Sequence, residues 1–155
     1  MPITFRLANR SDYPRLEEMV LEAFTPVTWF TRVDELFGPI NGLDWRQRWQ
    51  LRLKAAFASQ TVLVGEDSGV IVAYASGTYD PATRSAYIDL LAVDSGRQGR
   101  GYGRQTLRAI IAHFKQHGAE HAHLDCLTNN ETGNKLYESE GFRKVAEHAR
   151  WWLKL

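Results

Sequence analysis

A glycine-rich loop between a strand and a helix constrains this chain more than any other feature. Tyr87–Val93 is an apolar run with one charge, Asp89, and Gly99, Gly101 and Gly103 then stand on alternate residues before a helical pattern begins. Glycines placed in this way let the backbone approach a ligand closely and turn its N–H groups toward one point. The following helix N-terminus adds free donors and the positive end of its dipole. The loop therefore predicts an anion site, above all for a phosphate.

Three nucleotide-binding patterns compete for this loop, and its spacing separates them. A Walker loop needs GxxxxGK followed by Ser or Thr, which is absent. A dinucleotide loop needs a third glycine where Arg104 or Thr106 stands, and a downstream Asp125 does not repair that spacing. The segment Gln98–Gly103, QGRGYG, fits (Q/R)xxGx(G/A). Four arginines flank it with charge suited to phosphate oxygens: Arg97, Arg100, Arg104 and Arg108.

Length and composition predict one globular domain over residues 1–155. The chain is 44% hydrophobic and 24% charged, which is typical of soluble proteins. Its net charge of +1 argues against a nucleic-acid partner. No signal segment or membrane-length apolar run is visible, so we expect a cytoplasmic protein without a membrane partner. A single cysteine, Cys126, excludes an internal disulfide and suits a reducing compartment.

The hydrophobic pattern changes period along the chain and predicts a mixed sheet with helices packed on it. Helices are expected from Ser11 or Asp12 to Phe24, after Asp44, from the glycine loop to Gly118, and within Glu131–Ser139. The segment Thr25–Gly42 is expected to be irregular but ordered. Expected strands are Ile3–Ala8, Thr61–Glu66, Val70–Gly77, Ser85–Val93 and His121–Leu127. A closing hairpin of Phe142–Ala146 and Arg150–Leu155 is expected to face the core through Trp151, Leu153 and Leu155.

A second motif follows the loop at a fixed distance and completes a pattern. Asn130–Phe142 reads N-xx-G-xx-LY-xxx-GF. Together with Gln98–Gly103 it resembles the GNAT superfamily of acyl-CoA-dependent N-acetyltransferases, and the two motifs cover Tyr87–Phe142. Ser95 stands where that family often has proline, and Gly133 replaces an alanine. The resemblance implies an α/β (α+β) fold with a mixed central sheet of about six to seven strands and about four helices.

The resemblance also implies acetyl-CoA as the cosubstrate, with no metal. The backbone of Gln98–Arg104 would hold the pyrophosphate, and the pantetheine would pair with Leu90–Val93 as an added strand does. The strands Tyr87–Val93 and His121–Leu127 would diverge to admit the thioester, and an N–H near Ala92 would donate to the oxyanion. The residues implied in cofactor binding are Leu91, Ala92, Val93, Gln98, Gly99, Arg100, Gly101, Tyr102, Gly103, Arg104, Asn130 and Tyr137.

Two residues are the catalytic candidates, Tyr137 and Asp89. Tyr137 stands where many members of the family have the group that assists the departing CoA thiolate. The pKa of a phenol is ~10 and that of a thiol is ~8.5, so a hydrogen bond to the thiolate is favoured over full proton transfer. Simple packing under the cofactor is the alternative. Asp89 matches a carboxylate that helps to deprotonate or anchor the amine, because an ammonium cannot attack until it loses a proton. A solvated edge residue or a structural ion pair is the alternative for Asp89.

Other notable residues have plainer interpretations. Asn130 either contacts the pantetheine or caps the helix that carries Tyr137. Cys126 is expected to be a small core residue. Four of the five histidines lack convergent metal-ligand spacing and are expected to be solvated: His113, His117, His121 and His123. The aromatic group is either a lid over the acceptor or part of the core: Trp29, Phe30, Phe37, Trp45 and Trp49.

The resemblance implies an N-acetyltransferase that moves an acetyl group from acetyl-CoA to a primary amine of a small molecule or peptide by direct attack. A carboxylate such as Asp89 suits a cationic acceptor: a polyamine, amino sugar, amino acid or peptide N-terminus. The alternative is a non-catalytic acyl-CoA-binding or protein-interaction module on the same fold. The sequence leaves a homodimer open.

Overall fold

The computed structural model describes residues 2–155 and contains one sheet with helices on both faces. Its strands are β1 (Thr4–Leu7), β2 (Thr61–Asp67), β3 (Val70–Asp80), β4 (Ser85–Val93) and β5 (His121–His123). Its α-helices are α1 (Tyr13–Phe24), α2 (Phe30–Phe37), α3 (Trp45–Ser59), α4 (Tyr102–Gln116) and α5 (Glu131–Ser139). Short 3₁₀ turns cover Arg10–Asp12 and Ser95–Arg97.

The sheet has the order β1-β2-β3-β4-β5. The first four strands pair antiparallel with their neighbours, and β5 pairs parallel to β4. The tight turn Asp67–Val70 joins β2 to β3, with Ser68 and Gly69 at positive φ. A parallel pair requires a crossover, and α4 supplies it between β4 and β5. The mixed sheet that the pattern predicts is confirmed.

Two apolar clusters hold helices on opposite faces of the sheet. The α3 face packs α1 and α3 on the strands, through buried side chains that include Leu16, Val20, Leu53, Val64 and Leu90. The α4 face packs α4 on the strands through Leu107, Ile110 and Phe114, with Ala86 and Ile88 from β4. Leu136, Tyr137 and Phe142 lie partly buried against this second cluster, so α5 belongs to the same face.

A β-bulge at Asp89 exchanges the two faces of β4. The register with β3 runs Gly77↔Ile88 and then Ser76↔Leu90, which leaves Asp89 without an opposite residue. Side chains before the bulge, such as Ile88, pack on the α4 face, and Leu90 packs on the α3 face. A Cβ on Gly77 would stand 2.3 Å from the carbonyl oxygen of Tyr87. Only glycine therefore fits opposite the bulge.

The structure corrects several element predictions. The sheet has five strands instead of six to seven, and there are five α-helices instead of about four. The segment Thr25–Gly42 contains α2, and the parallel pairing of β5 stops at His123 instead of Leu127. Asn9, and not Ser11 or Asp12, provides the side-chain cap at the start of the first helical segment.

The predicted C-terminal hairpin is wrong. Within the described part of the chain, no strand follows α5, and Trp151 and Leu153 are 89% and 78% exposed. Alternating polarity indicates only which side chains could share a face, and it does not supply a strand to pair with. Trp152 instead lies 6.2 Å from the ring of Trp29, and the guanidinium of Arg150 lies 4.2 Å over that ring. No helix among residues 2–155 has the length and hydropathy to cross a membrane.

Candidate acetyl-CoA site

The site forms where β4 and β5 separate. Their parallel pairing covers Ser85↔His121, Ala86↔Ala122 and Tyr87↔His123, and β4 then continues alone to Val93. The edge of β4 from Asp89 onward faces no paired strand on the β5 side within residues 2–155. A V-shaped opening of this kind exposes backbone groups of β4 that an extended ligand can pair with.

The glycine loop stands at the open end of the V. Gly99 and Gly101 have φ values of +78° and +79°, in the left-handed region that favours glycine. Gly101 is the N-cap of α4 and has no side-chain cap, so the helix begins with backbone N–H groups alone. No atom lies within 4 Å of a Cβ built on Gly99 or Gly101, so the space over the loop is open. The arrangement offers an anion several N–H donors and a helix N-terminus.

Side chains from two other elements hold this loop in place. Asp67, in the β2–β3 turn, accepts hydrogen bonds of 2.8 Å from Arg97 Nη1 and from the hydroxyl of Tyr102. The Tyr102 hydroxyl, with help from the Arg97 charge, lowers the pKa of Asp67. On the other side Asp94 accepts from the Gly96 N–H at 2.9 Å and forms an ion pair with Arg15 of α1. The loop is therefore held by side-chain contacts on both sides.

Three of the four arginines that flank the loop are engaged in ion pairs. Arg97 pairs with Asp67, and Arg104 and Arg108 both pair with Glu140 at the end of α5. Glu140 has a side chain only 10% exposed, and the bonds from Arg108 and Arg104 lower its pKa. Among the four, Arg100 makes no ion pair within residues 2–155. Backbone N–H groups, together with Arg100, are what the loop offers an anion.

Helix α5 brings Tyr137 to the α4 face of the V. Asn130 caps the helix by accepting the Gly133 N–H at 3.1 Å. A Cβ on Gly133 would come within 2.7 Å of the Asn130 side chain, so a larger residue here would require the capping amide to shift. The Tyr137 ring makes an edge contact with Phe142, at 5.9 Å between centroids. Burial, with the nearby Cys126, raises the pKa of Tyr137 to about 12, so its hydroxyl stays protonated as a donor.

Asp89 is engaged on both carboxylate oxygens. Oδ1 accepts from Arg52 Nη2 at 2.8 Å, and Oδ2 accepts from Gln60 Nε2 at 2.9 Å. Both partners belong to α3 or its C-cap, and the Asp89 side chain is 11% exposed. These contacts are those of the structural ion pair that the sequence left as an alternative. The bulge positions the Asp89 backbone at the point where β4 loses its partner.

The structure brings together three side chains on the α3 face that the sequence did not combine. Tyr87 donates a hydrogen bond of 3.1 Å from its hydroxyl to Asp125 Oδ2. The Tyr87 and His123 rings lie 5.1 Å apart. Sequence reasoning treated His123 as solvated and Asp125 as a rejected ribose ligand. Strand alternation places residues 123 and 125 on one side of the chain, but only the parallel register shows that Tyr87 meets them.

The aromatic group divides between core and surface. Trp49 is buried, stacks on Phe24 at 5.1 Å, and donates from its indole to Thr28 at 2.7 Å. Phe30 contacts the same indole at 5.6 Å. Trp29 instead lies against the C-terminal segment. Trp49 is therefore part of the core, whereas Trp29 packs against the C-terminal segment.

A cavity of about 600 Å³ lies at the other end of the sheet from the glycine loop. It is lined by the end of β1, the start of β2 and the last turn of α4, including Leu7, Phe57 and Tyr79. His113 and His117 line it as well, with their rings 4.3 Å apart. A cavity of this size would be the default ligand site on volume alone. This cavity contains neither the glycine loop nor the separated strands, so it does not offer the anion-binding N–H groups that lie at the opening between β4 and β5.

Comparison with known proteins identifies the class. Residues 28–142 match the acetyltransferase (GNAT) family. The match covers most of the chain and contains both motifs, so the protein belongs to the GNAT acetyltransferase family. The predicted fold class and enzyme class are confirmed.

Individual relatives differ in how much of the chain they match. A mycothiol acetyltransferase from Beutenbergia cavernae is 36% identical over 72 residues, which are 46% of this chain and 24% of that protein. A ribosomal protein bS18-alanine N-acetyltransferase from Haemophilus ducreyi is 26% identical over 116 residues, 75% of this chain and 77% of that protein. The PaiA N-acetyltransferase from Thermoplasma acidophilum, solved in complex with coenzyme A, shares the fold with a TM-score of 0.72. It is 14% identical, and the alignment covers 92% of this chain and 91% of that one.

Proposed function

We propose that the protein transfers an acetyl group from acetyl-CoA to a primary amine by direct attack of the amine on the thioester. The observation that carries this proposal is the glycine loop at the open end of the β4–β5 opening. The glycine loop suits a pyrophosphate, and the opening between β4 and β5 suits the extended pantetheine arm that leads from the pyrophosphate to the thioester. Family membership supports the same pairing of donor and reaction.

The donor would bind through backbone groups. The N–H groups of Gln98–Arg104 would hold the pyrophosphate with the α4 N-terminus, and the Arg100 side chain would add charge. The pantetheine would pair with the free edge of Leu91–Val93, and an N–H near Ala92 would donate to the oxyanion. Asn130 contributes by capping α5, through which it positions Tyr137. No step requires a metal.

Tyr137 would assist the departing thiolate by a hydrogen bond. Its pKa of about 12 exceeds the ordinary thiol value of ~8.5, so complete proton transfer from the phenol would be uphill by roughly 5 kcal/mol. A protonated phenol still stabilises a developing negative charge on sulfur by donating to it. The half-buried position of Tyr137, on the α4 face of the opening, suits that role.

The acceptor we propose is a cationic primary amine. The curated relatives are named for different compounds, one for mycothiol and one for the alanine of a ribosomal protein. A peptide N-terminus is the acceptor that the longer match favours, because that relative covers three quarters of this chain. We place the reaction in a reducing compartment such as the cytoplasm, where the free Cys126 would remain a thiol.

The release of free thiol from acetyl-CoA tests this proposal. We expect turnover with at least one amine among spermidine, glucosamine, free alanine and a tripeptide that begins with alanine. Calorimetry of CoA binding should accompany the assay. CoA binding without turnover of any acceptor would favour the non-catalytic acyl-CoA-binding module.

A further inference from the structure

Two carboxylates lie near the β4–β5 opening, and they differ in what they can still bind. Both oxygens of Asp89 already accept bonds from α3 and its C-cap. Asp125 is exposed, and only its Oδ2 accepts a bond within residues 2–155, from Tyr87. A carboxylate holds an ammonium best when an oxygen is free to accept from it. Asp125 is therefore better placed than Asp89 to receive a cationic amine.

His123 adds a proton acceptor on the same face of the opening, where its ring lies 5.1 Å from that of Tyr87. The last paired residues of the two strands are Tyr87 and His123, so these side chains stand at the vertex of the opening. Imidazole is the side chain whose ordinary titration range best suits a general base near neutral pH. Tyr87, by contrast, remains protonated, because burial and the hydrogen bond to Asp125 raise its pKa to about 12. Tyr87 therefore orients Asp125 and does not itself take a proton.

The two faces of the opening carry different groups. Ala122 and Leu124 pack on the α4 face, where Tyr137 and Cys126 also lie. Tyr87 alternates with Ala86 and Ile88, which pack on that same α4 face, so Tyr87 and its contacts lie on the α3 face. Acetyl transfer needs a hydrogen-bond donor near the departing sulfur and a proton acceptor near the attacking nitrogen. In this opening the donor, Tyr137, lies on the α4 face, and the proton acceptor lies on the α3 face.

We propose that Tyr87, His123 and Asp125 form the acceptor side of the active site, the amine cluster. Asp125 binds the ammonium of the acceptor, Tyr87 holds Asp125 in place, and His123 takes the proton. This inference rests on the proposed acetyl transfer and gives that reaction its acceptor side.

The step balances with these groups. His123 accepts one proton from the ammonium, and the freed nitrogen lone pair forms a C–N bond to the thioester carbonyl. The C–S bond then breaks, and CoA leaves as a thiolate that Tyr137 stabilises by hydrogen bonding. The second proton of the attacking nitrogen ends on the thiolate, and His123 returns its proton to water. The products are an acetylated amine and CoA.

The ring of His123 contacts that of Tyr87, and the charged groups around Tyr87 come from both strands and from α3. They are Asp125, which accepts the Tyr87 hydroxyl, and Asp89 and Arg52, which act on the titration of Tyr87. His121 lies two residues earlier on β5 and is exposed like His123. No ring contact or hydrogen bond of its side chain to Tyr87 or Asp125 is found among residues 2–155. His121 is therefore a matched control for His123.

Steady-state kinetics with the amine that the wild type turns over test the amine cluster. Asp125→Asn should raise the KM for the amine roughly tenfold or more, with the KM for acetyl-CoA within about twofold of wild type. His123→Gln should lower kcat roughly 10²-fold near pH 7. The loss should shrink as pH rises toward the pKa of the amine, because the amine then deprotonates without help. His121→Gln should keep wild-type kinetics at every pH.

Three outcomes decide the inference. Wild-type pH profiles and amine KM values in both Asp125→Asn and His123→Gln, with turnover intact, would overturn the amine cluster and leave acetyl transfer standing. An equal loss in His121→Gln would also overturn it, because the effect would then be structural. Absence of turnover by the wild type, despite CoA binding, would overturn acetyl transfer and the amine cluster together.

Discussion

At the residue scale, the chemistry of this site depends on which polar groups are already satisfied. Asp89 has the position that a sequence comparison favours for a base, yet Arg52 and Gln60 occupy its oxygens. Asp125 has a less conspicuous position and keeps an oxygen free. A sequence gives the type of each side chain, but the partner that occupies it comes from elsewhere in the chain. This is why the sequence could propose a site at the glycine loop but not the role of each carboxylate.

Replacing Tyr137 tests the thiolate role. Tyr137→Phe removes one hydroxyl and keeps the ring contact with Phe142. We expect kcat to fall by roughly 10- to 100-fold, the cost of about 1.5–3 kcal/mol for a hydrogen bond to a charged group. Because the Tyr137 pKa is about 12, the phenol is protonated throughout the usual assay range. The ratio of wild-type to variant kcat should therefore stay constant from about pH 7 to about pH 9, as rate measurements across that range would show.

The affinity for acetyl-CoA is the control for this variant and should change less than about threefold. Wild-type kcat in Tyr137→Phe would assign the residue to packing alone. A ratio that varies strongly below pH 9 would show that its hydroxyl titrates far below the value that its burial indicates.

At the scale of elements, the sequence predicted most of the fold where local patterns decide it. The strand Ser85–Val93 and the helix within Glu131–Ser139 begin and end at the predicted residues. The helix α2 was missed because Pro26, Gly38 and Pro39 suggested an irregular segment, and tertiary contacts formed a helix between them. Arg48 of α3 supports that helix through Asp34 at 2.7 Å. Long-range contacts of this kind do not appear in a local pattern.

A glycine substitution tests the loop as the seat of the pyrophosphate. Gly101→Val places a branched side chain at φ +79°, which costs roughly 1–2 kcal/mol in strain and obstructs the approach of a ligand. We expect calorimetry to show CoA binding weaker by at least about tenfold. Gly96→Ala is the matched control, because Gly96 does not have a positive φ and its Cβ would stand 3.4 Å from Asp94. Equal affinity for CoA in the Gly101→Val variant and the wild type would show that the loop does not bind the pyrophosphate.

The bulge in β4 can be tested separately from binding. Gly77→Ala would set a methyl group 2.3 Å from the Tyr87 carbonyl oxygen and force the two strands apart. We expect a free energy of unfolding lower by roughly 1–3 kcal/mol, or more if the strands cannot move. Denaturant titration measures it. An unchanged free energy of unfolding would show that β3 and β4 can move apart at the bulge and accommodate the methyl group.

The link between α4 and α5 predicts a pH-dependent stability. Bonds from Arg108 and Arg104 lower the pKa of Glu140 in the folded state. A lowered pKa contributes stability above the unfolded value of about 4.3, and that stability is lost as pH falls through the folded value. Glu140→Gln should therefore have a lower Tm than wild type near pH 7, and the two should converge in acid.

Glu138→Gln, on an exposed position of the same helix, is the control and should melt like wild type at both pH values. A Tm deficit of Glu140→Gln that persists unchanged in acid would assign the effect to side-chain packing and not to charge.

At the scale of the whole molecule, the prediction that failed is the C-terminal hairpin. Phe142–Ala146 and Arg150–Leu155 are predicted to pair as a hairpin, yet no strand follows α5 among the described residues, and the apolar side chains of Val145, Trp151, Leu153 and Leu155 are exposed. Exposed apolar surface of this kind is typical of an interface. β5 forms the edge of the sheet with only three residues, so a neighbouring chain could extend it.

We expect a second copy of the chain to cover this segment and the protein to be a homodimer. Sedimentation of the wild type should show a dimer, and Trp151→Glu with Leu153→Glu should shift it to a monomer, because charge on both residues opposes burial. Lys154→Gln, at an exposed polar position of the same segment, should leave the dimer intact. A wild-type protein that stays monomeric at tens of micromolar would contradict this assembly.

The position of the donor is the central claim of this account, and a crystal structure with bound acetyl-CoA tests it most directly. We predict the pyrophosphate against the N–H groups of Gln98–Arg104 and the thioester in the opening between β4 and β5. The thioester should have Tyr137 on one face and His123 with Asp125 on the other. Acetyl-CoA in the cavity beside Phe57, His113 and His117, with the glycine loop empty, would contradict the account.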